Sequence, residues 1–287
     1  MISDPETLLL SDGAVQVRVA RQGAALTDAR FDGEAFLVPG GGPDGRFASF
    51  PLVPFGNRLE HNSFALEGTD YRFLPNSADP LYLHGDGWLE PWDIDKADRT
   101  SVTLSLRHRP GPLSPYDYSA WQTVSLADNG FTLELSVRHE GEKPMLYGLG
   151  QHPFFARTAQ TRLTAPARTA WSERAGHLPD ESGPLPRELD FAEPALLPDR
   201  FVNNAFAGWD GHASIEWPEL RLAAEIDAAS IHDIYMLYMP VDRTDFFCFE
   251  PMTHLPNAHH MAGYAGLKLL GAGESISSEM TIRLRRI

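Results

Sequence analysis

Cysteine is almost absent from this chain of 287 residues, because Cys248 is its one cysteine. A single cysteine cannot form an internal disulfide, and it also excludes CxxC metal and redox motifs. No apolar run approaches the ~20 residues that a helix needs to cross a bilayer. The first residues also lack the basic segment and apolar core of a secretory signal. We therefore expect a cytoplasmic protein that does not enter a membrane.

Basic residues are also scarce, with 24 Lys and Arg against 39 Asp and Glu and a net charge of −15. Nucleic acids and anionic membranes bind to basic surface, so both are excluded as partners. The charge also disfavours a strongly anionic substrate, although a local arginine cluster could override it. A neutral small molecule fits this charge best, and we expect a monomer or a homodimer.

Long stretches of helical periodicity are missing, and period-two alternation of apolar and polar residues takes their place. Predicted strands cover 14–20, 63–73 (a hairpin turning at 67–70), 101–107, 121–126, 131–137, 213–217, 220–226, 234–238, 246–250 and 276–284. Residues 156–200 are interpreted as an irregular crossing, and 190–206 is ambiguous and could contain a short helix. With 24 Gly and 23 Pro at frequent turns, this pattern predicts an all-β fold of two packed antiparallel sheets. We expect one domain over residues 1–287.

His152 is the most informative candidate for a functional residue, because Pro153 follows it and disfavours a helical conformation for it. It should therefore be extended at the end of a strand. Glu250 has a similar place before Pro251, and alternation puts it on one face of its strand with Cys248. A core histidine and an exposed strand-end carboxylate are the simpler interpretations of each residue alone. Together they are what acid–base chemistry on a neutral substrate needs.

Two further candidates lie in loops. His84 follows Leu83 in a glycine-rich turn next to Trp88, and Arg58 follows Asn57 in a proline-rich loop. An imidazole and a guanidinium could hold sugar hydroxyls. A structural histidine packed next to a tryptophan is the commoner outcome for such a turn, and a surface ion pair is the simpler interpretation of Arg58.

The sequence gives little indication of a metal or a nucleotide cofactor. His254, His259 and His260 match no HExxH or HxH spacing, and no carboxylate lies between them, so we expect no metal there. There is no GxSxG elbow, no P-loop and no GxGxxG after a strand.

In sequence order, these motifs resemble the aldose 1-epimerase (galactose mutarotase) family. The motifs are Asn57-Arg58, the hairpin 64–73, Leu83-His84-Gly85, the segment 150–155 (GQHPFF), and Phe249-Glu250-Pro251 followed by Pro256-Asn257-Ala258. The resemblance extends over nearly the whole chain. It implies a large antiparallel β-sandwich of the galactose mutarotase-like type, with few short helices, an open sugar cleft and no cofactor.

The resemblance also implies roles for individual residues. Glu250 matches the catalytic base and His152 the catalytic acid. The residues that match sugar-binding positions or share their motifs are Arg58, His84, Asn203, Gln151 and Asn57. Asn203 stands where the family usually has an aspartate, so the sugar preference stays open. Whether Tyr82, Trp88 or Trp209 lines the cleft also stays open.

Such a pair would interconvert the α and β anomers of a free aldose, and we expect Glu250 to be ionised and His152 protonated. One alternative is an epimerase for hexose 6-phosphates or other modified sugars, which would need several basic groups to converge. Arg58, Arg72, Arg157 and Lys268 are the candidates for that role. Another alternative is a carbohydrate-binding or sensor module without turnover, and a third is that the motifs mark only the fold.

Overall fold

The structure is a computed structural model that describes residues 7–287. The first six residues, on which the expectation about a secretory signal partly rests, lie outside the described residues. The strands in the first half of the chain are β1 (Thr7–Asp12), β2 (Val15–Ala20), β3 (Leu26–Phe31), β4 (Glu34–Leu37), β5 (Pro51–Leu52), β6 (Arg58–Leu59), β7 (Ser63–Leu66), β8 (Thr69–Arg72), β9 (Tyr82–Leu83), β10 (Asp93–Ala97), β11 (Ser101–His108), β12 (Tyr118–Ala127) and β13 (Gly130–His139).

The later strands are β14 (Met145–Tyr147), β15 (Gly150–Gln151), β16 (Phe154–Ala156), β17 (Arg162–Thr164), β18 (Thr169–Arg174), β19 (Leu178–Gly183), β20 (Ala195–Leu196), β21 (Val202–Ala207), β22 (His212–Trp217), β23 (Leu222–Ala228), β24 (Ile234–Met239), β25 (Phe246–Met252), β26 (Lys268–Leu270) and β27 (Ser275–Arg286). The helices described are short 3₁₀ turns at Glu60–Asn62, Gly87–Leu89, Arg187–Leu189, Pro218–Leu220, Ala258–His260 and Ala262–Gly266.

Within residues 7–287, two antiparallel sheets carry most of these strands. The larger sheet runs β1-β2-β3-β4-β16-β25-β24-β21-β18-β19, with β15 and β5 paired beside β25. The smaller one runs β10-β11-β12-β13-β27-β23-β22-β17-β20. Aromatic contacts join the two sheets, for example Phe36 with Phe131 at 6.1 Å between ring centroids. The predicted all-β sandwich with few short helices is confirmed.

Alternation along β25 decides which side chains enter the core between the sheets. Phe247 and Phe249 belong to that core, whereas Phe246 and Cys248 pack in a separate cluster on the other face of the larger sheet. Glu250 shares this outer face with Cys248, because residues two apart in a strand point the same way. The outer face is where the candidate site lies.

The predicted strands are confirmed with small shifts of their ends, but the interpretation of residues 156–200 was wrong. This segment contains the hairpin of β18 and β19, in which Glu173 pairs with Pro179. Its Pro, Arg and charged residues hide the alternation, because these edge strands bury only part of their side chains. Residues 190–206 form β20 and β21 rather than a helix.

None of the helices in the described part of the chain has the length and apolar character needed to span a membrane.

Candidate active site

A cavity of about 280 Å³ opens on the outer face of the larger sheet. This is just below the roughly 300–1,000 Å³ range of sites for drug-sized molecules, so only a small ligand fits it. Its lining combines aromatic rings with a few polar groups: Gly41, Gly42, Phe50, Asn57, Arg58, Leu83, His84, Trp88, His152, Phe154, His177, Phe201, Asn203, Tyr238 and Glu250.

His152 and Glu250 meet in this cavity. Gly150 pairs with Met252, and Phe154 pairs with Cys248. His152 lies midway along this antiparallel register and therefore faces Glu250. Its Nε2 is 3.3 Å from Glu250 Oε1. One atom of each group, His152 Nδ1 and Glu250 Oε2, is buried without a hydrogen-bond partner.

The imidazole of His152 packs against two aromatic rings that also contact each other. Phe50 stacks on it at 4.6 Å between centroids, and Phe154 stacks on it at 4.7 Å. The Phe154 ring in turn lies against the backbone of Gly40 and Gly41, where an added Cβ would come within 2.3 and 2.2 Å of ring atoms. This stack leaves the imidazole little freedom to turn.

Burial shifts the protonation of the pair away from the expected ion pair. It raises the pKa of Glu250 to about 8, although Arg58 opposes the shift. It also lowers the pKa of His152 to about 3. In the free protein the neutral forms of both groups are therefore favoured, because water is excluded from around each charge. These shifts contradict the expectation of an ionised Glu250 next to a protonated His152.

A second wall of the cavity comes from Asn57, Arg58 and His84. The backbone N–H of Asn57 donates to His84 Nδ1 at 3.0 Å, and the N–H of His84 donates to the carbonyl of Asn57 at 3.0 Å. Burial lowers the pKa of His84. With Nδ1 accepting a hydrogen bond, the neutral ring carries its proton on Nε2 and can act as a donor.

The turn that carries His84 has a left-handed conformation, with φ of 61° at His84 and 69° at Gly85. A Cβ at Gly85 would lie 2.4 Å from the carbonyl oxygen of Val53, so glycine is required there. Asn76 Nδ2 and Trp88 Nε1 both donate to the carbonyls of Leu83 and Gly85. These bonds fix the position of His84.

Arg58 forms an ion pair with Asp79, with Nε 2.8 Å from Oδ2, and both side chains are largely buried. Its charge is therefore already balanced by a neighbouring carboxylate. The other basic candidates for phosphate binding, Arg72, Arg157 and Lys268, are not among the residues that line the cavity. The structure therefore does not gather the four basic candidates around the cavity, as binding of a phosphate would require.

A third wall contains Asn203, Tyr238 and His177. Asn203 Nδ2 donates to Glu173 Oε1 at 2.8 Å, and His177 Nδ1 bonds the same oxygen. A carboxylate therefore stands next to Asn203, supplied by the neighbouring strand β18.

Gln151 does not line the cavity, and the expectation that it binds sugar was wrong. It points to the opposite side of its strand from His152, and its Nε2 donates to Gln122 Oε1 at 3.1 Å in the core. Trp88 does line the cavity, whereas Tyr82 and Trp209 do not. Tyr82 bonds Asp86, and Trp209 bonds the carbonyl of His212.

The three histidines near residue 257 have separate partners. His254 Nε2 accepts the N–H of Gly56 at 2.9 Å, and His259 Nε2 lies 3.2 Å from Tyr116 Oη. His260 bonds the carbonyl of Ser63 at 2.8 Å. Their partners are backbone groups and a tyrosine, as expected for structural residues.

Sequence reasoning missed several lining residues. Phe50, His177 and Phe201 carried no motif, and Tyr238 lies in a strand that is apolar on both faces. The asparagine at position 203 was a usable signal for Glu173, because a lost carboxylate suggests a replacement nearby. The strand that supplies Glu173 was not predicted.

Comparisons with known proteins identify the family of this chain. The sequence model of the family "Aldose 1-epimerase" matches residues 6–283. The protein YphB of Escherichia coli (strain K12) is 38% identical over 285 residues, which cover 96% of this chain and 97% of YphB. The crystal structure of a candidate aldose 1-epimerase from E. coli K12 superposes with a TM-score of 0.93 at 37% identity, covering 98% of this chain and 99% of that one.

A galactose mutarotase-like protein from Clostridium acetobutylicum has the same fold at only 16% identity, with a TM-score of 0.86 over 98% of this chain and 95% of that one. The family match extends over almost the whole chain and includes every element that builds the cavity. The chain therefore belongs to the aldose 1-epimerase family.

Proposed function

We propose that the protein interconverts the α and β anomers of a free aldose, with Glu250 and His152 as its acid–base pair. The observation that carries this proposal is the 3.3 Å contact between His152 Nε2 and Glu250 Oε1 at the buried end of the cavity. Each group also has one buried polar atom without a partner. Such unsatisfied groups are costly in a folded protein, and a polar ligand would supply the missing partners.

In this proposal, His152 and Glu250 share one proton. Between the lowered pKa of His152 at about 3 and the raised pKa of Glu250 at about 8, the pair holds one titratable proton. Moving it across the 3.3 Å contact converts the neutral pair into a carboxylate and an imidazolium. Sugar hydroxyls that donate to Glu250 favour this charged form, because hydrogen bonds to a carboxylate stabilise it.

Ring opening then needs two proton transfers. The Glu250 carboxylate takes the proton of the anomeric hydroxyl while the imidazolium of His152 gives its proton to the ring oxygen. The bond between C1 and the ring oxygen breaks, and C1 becomes a carbonyl carbon. Rotation about C1–C2 exposes the other face, and the same groups acting in reverse close the ring. Each positioned transfer typically contributes about 10²–10⁴-fold.

In this proposal, the walls of the cavity around the pair bind the sugar. Neutral His84 offers an Nε2 donor, while Asn57, Arg58 and Asn203 offer further polar groups to hydroxyls. Trp88 and Phe154 supply aromatic surface. A cavity with one arginine, already paired with Asp79, favours a neutral sugar over a phosphorylated one, because a phosphate is bound best by converging cationic donors.

Polarimetry on freshly dissolved α-glucose and α-galactose tests the proposal. We expect the wild-type protein to accelerate the approach to anomeric equilibrium, and His152→Gln to remove nearly all of that acceleration. Glu225→Gln, an exposed carboxylate on the smaller sheet, is the matched control and should keep full activity. Saturable sugar binding without acceleration would contradict the proposal and favour a binding module. Turnover of a hexose 6-phosphate in preference to the free hexose would contradict the proposed substrate class.

A further inference from the structure

Cys248 has no role in the proposed reaction, yet it lies next to both acid–base groups. It is two residues before Glu250 on the same face of β25, and it pairs with Phe154, two residues after His152. The potential ligand atoms of His152, Cys248 and Glu250 all lie within 4.8 Å of one another. All three residues are buried.

A nitrogen, a sulfur and a carboxylate oxygen are the three ligand types that zinc accepts in proteins. Zinc–ligand bonds of about 2.0–2.3 Å place tetrahedral ligands roughly 3.3–3.8 Å apart. A separation of 4.8 Å would therefore have to shorten by roughly 1.0–1.5 Å to reach these ligand distances. The cavity lies above Glu250 and His152, which leaves a fourth position for water.

The charges of such a site would balance. A thiolate and a carboxylate together neutralise a divalent cation, so a buried complex would carry no net charge. Glu250 Oε2 and His152 Nδ1 lack hydrogen-bond partners at present. Binding would therefore break no hydrogen bond at those two atoms.

We propose that His152, Cys248 and Glu250 form an inhibitory site for a thiophilic divalent cation such as Zn²⁺. The inhibitory effect rests on the proposed function, because the metal would occupy both acid–base groups, whereas the binding itself does not. One Zn²⁺ displaces two protons, one from the Cys248 thiol and one from the His152–Glu250 pair. Affinity for the metal therefore rises with pH.

Titration with Co²⁺ tests the binding without any measurement of activity. We expect one equivalent of Co²⁺ to produce the near-ultraviolet absorption of a cobalt–thiolate bond in the wild-type protein, and Zn²⁺ to abolish it. Cys248→Ala should lose this absorption, and Cys248→Ser serves the same purpose if the alanine variant does not fold. No thiolate absorption in the folded wild-type protein would overturn the proposal.

Inhibition is measured by polarimetry with increasing Zn²⁺ and reversed with a chelator. Cys248→Ala should keep its activity within about threefold and need at least tenfold more Zn²⁺ for half inhibition. His212→Gln removes an exposed histidine that pairs with Asp227, and its Zn²⁺ sensitivity should match that of the wild type. Equal inhibition of the wild type and the Cys248 variants would overturn the proposal. A cobalt–thiolate band in a protein without epimerase activity would support the metal site and contradict only the proposed function.

Discussion

Within residues 7–287, two pairs of a histidine and a buried carboxylate have the same separation. His152 Nε2 lies 3.3 Å from Glu250 Oε1, and His108 Nε2 lies 3.3 Å from Asp86 Oδ2. The carboxylates are also similarly buried, with Glu250 3% exposed and Asp86 5% exposed. Distance and burial therefore do not distinguish the two pairs.

The hydrogen bonds around the two pairs do distinguish them. Both oxygens of Asp86 accept hydroxyl protons, one from Tyr82 at 2.9 Å and the other from Tyr118. His108 is bonded through Nδ1 to the carbonyl of Tyr116 at 2.9 Å. A fully satisfied buried network of this kind stabilises one arrangement of the core.

Glu250 and His152 each lack a partner at one atom, and both line the cavity, which Asp86 and His108 do not. We infer from this comparison that a histidine–carboxylate pair is a candidate site for chemistry where its hydrogen bonds are incomplete and space remains for a ligand. Substitutions in the two pairs should therefore have opposite consequences.

The largest effect is expected from Glu250→Gln, which should lower epimerase activity by about 10²–10⁴-fold. The stability of the Glu250→Gln variant should not fall. The pKa of Glu250 is raised from its usual 4.5 to about 8, so its contribution to stability is present below pH 4.5 and is lost as the pH rises through 8. The glutamine variant should therefore gain in melting temperature relative to wild type between pH 5 and 8. A loss of stability across this range would remove the distinction between the pairs.

Asp86→Asn should have the reverse effect. The amide cannot accept from both tyrosines and also meet His108 as a carboxylate does, so we expect a loss of about 2–4 kcal/mol in the free energy of unfolding. Activity per folded molecule, measured well below the melting temperature, should stay within about tenfold of wild type. Urea denaturation with the activity assay on the same sample separates the two effects. An unchanged unfolding midpoint would mean that the tyrosine bonds contribute little.

The pH dependence of catalysis is the next prediction. Above a pKa of about 8 for Glu250, the pair loses its shared proton, and His152, with its lowered pKa, has none to give. We expect kcat/KM to be nearly constant from pH 6 to 7.5 and then to fall about tenfold per pH unit well above 8. The Asp86→Asn variant should show the same fall in kcat/KM above pH 8. A rise in kcat/KM above pH 8 would exclude a protonated pair as the active form.

The sequence predicted the pair of His152 and Glu250 and missed the pair of His108 and Asp86. The alternation of Phe-Cys-Phe-Glu predicted that Glu250 shares a face with Cys248, and the structure shows which face is the core, because Phe247 and Phe249 pack there. Period two decides the face of a strand, but it does not say which strands become neighbours. The meeting of His152 with Glu250 depended on the family resemblance for that reason. For Asp86 no motif existed, because its partners come from separate strands and none of them has a distinctive spacing.

Local turn chemistry was predicted well where it depends on single residues. The hairpin of β7 and β8 turns at Glu67 and Gly68, with φ of 48° and 76°, as the glycine indicated. The hairpin of β18 and β19 turns through Gly176 and His177, with φ of 81° and 57°. It was missed because its strands fully bury only Ala170 and Leu178, so that burial leaves little alternation in the sequence.

Glu173, on the hairpin of β18 and β19, combines features of the two pairs. It has partners in Asn203 and His177, as Asp86 has its tyrosines, but both of these partners line the cavity. Glu173→Gln keeps the shape and removes the charge, so Asn203 and His177 should hold sugar hydroxyls less firmly. We expect KM to rise about three- to tenfold with kcat within twofold, because sugar binding is weakened equally before and during the reaction. Glu181→Gln on the adjacent strand, exposed and outside the cavity lining, should change neither. A fall in kcat without a change in KM would contradict this prediction. It would mean that Glu173 acts in the chemical step together with Glu250.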